Sequence, residues 1–122
     1  MPQPDLEDIV ARLKPYQFRI GGEAERLVRY GKVIMPFLMV RMKELPGNGY
    51  RSPRYAAAIF AQRIIEDEDQ RRRPYIAEYG YVDAGTDRSE LLLKWWTEEG
   101  EAFLGGDDWS LPEGMLVREA RH

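Results

Sequence analysis

Between Gly31 and Pro46 the chain reads Val33-Ile34-Met35-Pro36-Phe37-Leu38-Met39-Val40-Arg41-Met42, apolar at every position except Arg41. A strand here would hold Pro36 at its centre, where the missing N–H deletes a ladder hydrogen bond. A helix opening near Met35 places Pro36 in the first turn, where proline is tolerated. The segment therefore reads as a helix that ends at Pro46-Gly47. A helix that is apolar all round must be covered on most sides. In a chain of 122 residues this makes it the central helix, or one shared with a neighbouring subunit, with Phe37 and Leu38 both inaccessible.

The remaining elements are set by breakers at Gly21-Gly22, Pro46-Gly47-Asn48-Gly49, Pro74, Gly85 and Gly105-Gly106, which punctuate one domain rather than two. Leu6, Ile9, Val10 and Leu13 share one face of a helix over 5–14, with acids in its first turn and Arg12 and Lys14 in its last. Residues 16–20 read as a short strand. Residues 23–30 read as a helix with Ala24, Leu27 and Val28 inward, interrupted at Gly31. The clearest helix covers 52–73: Ser52 caps it and Pro53 opens it. Its acid-first pairs Asp67–Arg71, Glu68–Arg72 and Asp69–Arg73 are spaced i, i+4. Its last two turns, charged all round, are expected to project into solvent or onto a partner. Residues 75–82 alternate like a strand. Asp87-Arg88-Ser89-Glu90 resembles a capping box opening a helix to about residue 99. Its Leu91, Leu92, Leu93, Trp95 and Trp96 cover roughly 200° of the circumference, about twice one core stripe. The fold class is mainly α: a compact domain of four to five helices over 1–104, with at most a short strand pair and an extended tail over 105–122. The alternative is α+β.

Composition removes most recognised chemistry. With no cysteine, disulfides, thiolate metal sites and thiol nucleophiles are excluded. The one histidine is the terminal His122, a poor position for a catalytic base or a zinc ligand. No phosphate-binding glycine loop is present. Glu66 to Asp69 point in different directions on a helix and face arginines. Asp83 and Asp87 lack the alternating ligands and distant glutamate of a calcium loop. Asp107 and Asp108 beside Trp109 form no more than an isolated carboxylate pair. No enzyme, cofactor or metal is expected, and a carboxylate-dependent enzyme ranks last among the readings. The acidic, polar N-terminus lacks the pattern of a signal peptide. The longest apolar run, 33–40, is far short of the roughly 20 residues that span a bilayer. The expected protein is soluble and cytoplasmic, with no membrane partner.

Charge is uneven. Net charge is +1 over residues 1–40, +3 over 41–73 and −7 over 74–122, for −3 in all. This suits a basic middle packing on an acidic end, within one chain or between copies. Two residue sets are candidates for contact. Tyr75, Tyr79, Tyr81, Trp95, Trp96 and Trp109 belong to types enriched at protein interfaces. Two adjacent tryptophans on a helix point about 100° apart, so one core rarely takes both. Arg51, Arg54, Arg63, Arg71, Arg72 and Arg73 could grip phosphates or an acidic partner, although interleaved acids favour internal salt bridges. The leading functional expectation is a non-enzymatic protein-interaction subunit or accessory factor of a larger assembly, homo-oligomeric or of a phage-type structural kind. The alternative is a small regulator that binds nucleic acid, or a nucleic-acid enzyme, through the arginine-rich helix. Truncation at Gly105 is expected to weaken assembly and to leave the helical fold largely intact.

Overall fold

The computed structural model describes residues 5–19, 21–47, 52–72, 78–80, 88–106, 108–112 and 116–118. It is mainly α, as the sequence predicts, with four α-helices and one short antiparallel strand pair among the described residues. Among the described residues no helix is long and apolar enough to cross a membrane.

Helix α1, Leu6–Arg12, is capped by Asp5, whose carboxylate accepts the Asp8 N–H at 3.2 Å, and it turns Val10 inward. Where a strand was expected over 16–20, Pro15–Gln17 forms a single 3-10 turn. Pro15 fixes φ at its start, and the Gln17 side chain accepts the Lys14 N–H at 2.6 Å. These local bonds satisfy the backbone without a partner strand. The turn leaves Tyr16 exposed and Phe18 buried. Glu23–Ile34 is also 3-10 rather than α, and it is broken at Gly31, where φ is 69°. In 3-10 geometry residues i and i+3 eclipse, so Ala24 and Leu27 bury together.

Helix α2, Met35–Glu44, carries Pro36 in its first turn. It is not the central helix. Met35, Leu38, Met39 and Met42 are buried, but Phe37 is only half-buried and Val33 and Val40 are 54% and 60% exposed. Apolarity on every side hid the orientation, because no polar face marked the outside.

The central helix is α3, Pro53–Arg72, which packs against the 3-10 segment, α2 and α4. The Ser52 hydroxyl accepts the Tyr55 N–H at 3.2 Å at its start. Ala57, Ala58 and Ala61, fully buried, let neighbouring backbones approach; Phe60, Ile64 and Ile65 fill the space beside them. The buried positions from Ala57 to Asp69 span roughly 200° at 100° per residue. Arg54 donates to the Met42 and Lys43 carbonyls at 3.1 and 3.0 Å, closing the C-terminus of α2 with a cation at the negative end of its dipole.

The charged end of α3 corrects a second expectation. Arg71 pairs with Asp67 at 2.8 Å as the spacing predicts, but Glu68 pairs with Arg71 at 3.0 Å rather than with Arg72. Asp69 is fully buried and pairs with Arg72 at 3.1 Å. Arg73 lies outside the described residues. The end of the helix is therefore interior on one side rather than solvated all round.

Helix α4, Arg88–Gly105, runs past residue 99 and stops where Gly106 takes φ 76°, the left-handed conformation of a helix end. Strand β1, Glu78–Gly80, pairs antiparallel with β2, Leu116–Arg118, placing Tyr79 opposite Val117.

Leu38→Ala should cost about 2–5 kcal/mol of stability by urea unfolding. Val40→Ala, two residues away and exposed, should stay within about 0.5 kcal/mol. Equal costs would mean that Val40 is as buried as Leu38.

Candidate functional site

Two regions could serve contact: the aromatic cluster on α4, and the outward side of α2. In the first, Trp95 and Phe103 lie on the inner face of α4, and Trp109 returns to them just beyond Gly106. The three rings meet edge to face, with centroids 5.3 Å apart for Trp95–Phe103, 6.0 Å for Trp95–Trp109 and 4.9 Å for Phe103–Trp109, the geometry favoured by the ring quadrupole. The Trp95 indole N–H donates to the Ser110 carbonyl at 2.7 Å.

Arg72 locks this arrangement from α3. Its guanidinium lies 3.8 Å from the Trp109 ring centroid and donates to the Trp109 carbonyl at 2.5 Å, while its other terminal nitrogen pairs with buried Asp69. Exposed Asp108 stands 3.9 Å away. The Ser110 hydroxyl donates to Glu99 at 3.1 Å, tying the same segment to α4. The depression beside it, of about 500 Å³, is lined by Arg72, Glu99, Asp108, Trp109 and Ser110. Its charged groups already have partners, and no group of three or more metal-ligating side chains is found among the described residues.

Trp95 and Trp109 are buried inside the chain, at 4% and 6% exposure. Trp96 lies half-buried along α4, its ring 2.8 Å from where a Cβ on Gly100 would stand, so Gly100 makes room for it. The core takes Trp95, whereas Trp96 stays half-buried and lies along the helix over Gly100. Tyr75 and Tyr81 lie outside the described residues, and of Tyr79 only the strand backbone is described. A cut at Gly105 removes a core tryptophan rather than a free arm, which corrects the expectation that truncation leaves the fold largely intact.

The arginines are similarly engaged. Arg54 caps α2, Arg63 pairs with Glu25 at 3.4 Å, Arg71 pairs with Asp67 and Glu68, and Arg72 holds Asp69 and Trp109. Arg51 and Arg73 lie outside the described residues. Arg88, not singled out by the sequence, is 4% exposed and donates to Gln62 at 3.0 Å, and Gln62 in turn donates to Glu66 at 2.8 Å. Its only sequence signal was its place in the capping box expected over residues 87–90, of which Asp87 lies outside the described residues.

The second region is the one left open. Phe37 and Val40 lie one turn apart on α2, and Val33 lies two residues before its start, at the end of the 3-10 segment. Tyr30, 40% exposed, precedes them. Arg26 and Arg29, eclipsed at i, i+3 in the 3-10 segment, lie toward one end, and Lys43 lies one turn beyond Val40. These three cations are exposed and form no ion pair among the described residues. On α4, Glu90, Lys94, Glu98 and Glu101 form an exposed outward row that also lacks ion pairs among the described residues, with Leu104 37% exposed beyond it.

Trp109→Ala should cost about 3–5 kcal/mol. Arg72→Lys, which retains charge but loses the planar fork beside Asp69, should cost about 1–3 kcal/mol. Thermal unfolding followed by near-ultraviolet circular dichroism checks both. A Trp109→Ala protein as stable as the parent would show that the Trp109 ring is not part of the core.

Comparison with protein families, with curated proteins and with solved structures finds no match.

Proposed function

We propose that this protein is a non-enzymatic interaction subunit or accessory factor that docks a protein partner on the Val33–Phe37–Val40 face. One observation carries the reading: Val40 on α2 stands 60% exposed and Val33, two residues before α2, 54% exposed, while α2 buries its other aliphatic residues. Contiguous exposed apolar surface with a charged rim is the usual mark of a contact site. The engaged arginines of α3 support the same reading, since Arg54, Arg63, Arg71 and Arg72 each hold a group of this chain.

A photo-crosslinking residue placed at Val40, in cells making the protein, should give a discrete protein adduct. The same residue at exposed Arg12 on α1 should give none. Adding Val33→Asp should abolish the Val40 adduct and change stability by no more than about 0.5 kcal/mol, as for other surface changes. Absence of an adduct at Val40, or an adduct indifferent to Val33→Asp, contradicts the proposal.

A further inference from the structure

We infer that the occupant of the Val33–Phe37–Val40 face is a second copy of this chain, which presents the outward face of its α4; the inference rests on the docking role proposed above for that face. Charge complementarity is the argument. Residues 1–73 carry net +4 and residues 74–122 net −7, yet folding leaves charges of both signs without ion pairs among the described residues. The cations Arg26 and Arg29 precede the apolar stripe in the chain, across the break at Gly31, and Lys43 follows it; on α4 the acids Glu90, Glu98 and Glu101 outnumber the one cation of their row, Lys94.

Leu104, one turn beyond Glu101 and 37% exposed, offers the α4 face an apolar contact for the valines.

The charges also choose the geometry. A two-fold contact of the α2 face with itself would bring the Arg26 and Arg29 end of one copy onto Lys43 of the other, or each end onto itself. Either juxtaposes like charges, which costs affinity. Pairing the α2 face with the α4 face brings cations onto acids. Such a contact joins different surfaces of the two copies and is head-to-tail, so further copies can add to form a ring or an open chain.

Analytical ultracentrifugation over a concentration series tests this. The parent protein should grow in mass with concentration. Reversing the basic flank (Arg26→Glu, Arg29→Glu, Lys43→Glu) should weaken association about tenfold or more. Reversing the acidic row (Glu90→Lys, Glu98→Lys, Glu101→Lys) should do the same. Mixing the two variants should restore association, because each then meets a face of opposite sign; restoration also shows that both variants are folded. Failure of the mixture to associate overturns the inference, as does either variant assembling as well as the parent. A parent that stays monomeric while Val40 still crosslinks to a different protein overturns the self-association alone and leaves the docking role standing. A parent that stays monomeric with no Val40 adduct overturns both.

Discussion

Everything in this fold depends on α3 being a helix of small side chains surrounded on three sides. Ala57, Ala58 and Ala61 are fully buried, and alanine both favours the helix and lets other backbones come close. The 3-10 segment, α2 and α4 then close around it. Because α3 occupies the centre, α2 needs to turn only half of its circumference inward. The methionines Met35, Met39 and Met42, with Leu38, fill the irregular space against α3. The valines of the opposite side are left outside, and that surplus is the origin of the functional reading.

The second consequence of a central α3 is a polar layer near its end. Asp69 has no exposure to water, so its charge needs close donors. Arg72 supplies one, then uses its second terminal nitrogen and its flat face to hold Trp109. One arginine thereby couples α3 to the chain beyond α4, and Trp95 secures the next carbonyl along. Lysine in this place could not make both contacts, because a single ammonium has neither the fork nor the stacking plane.

Much of the secondary structure was legible, because it is written in local chemistry. Ser52-Pro53, Pro36 in a first turn and the glycine after α4 each impose one backbone outcome on their own neighbourhood. What was not legible depends on distant contacts. An apolar-all-round α2 and an alanine-rich α3 with a charged end compete for the centre, and local pattern favours the wrong one. Volume decides: alanines tolerate close neighbours on several sides, whereas Phe37 and Val40 need space that the centre does not have. The burial of Asp69 was hidden for a related reason. Its partner Arg72 is only three residues away, but Arg72 is itself held by Trp109, which reaches it from beyond α4. The contact surface was half legible: the charge asymmetry between the two parts of the chain is plain in the sequence, whereas the aromatic residues that suggested an interface include two that fill the core.

Amide hydrogen exchange on the purified chain tests the central place of α3 most directly, since protection follows burial and cooperative opening rather than helix propensity. The slowest amides should run through α3 from Ala57 into its last turn at Asp69 to Arg72, with α1 exchanging well before them. A last turn of α3 that exchanges as fast as α1, with the longest protection found instead in α2, would contradict it.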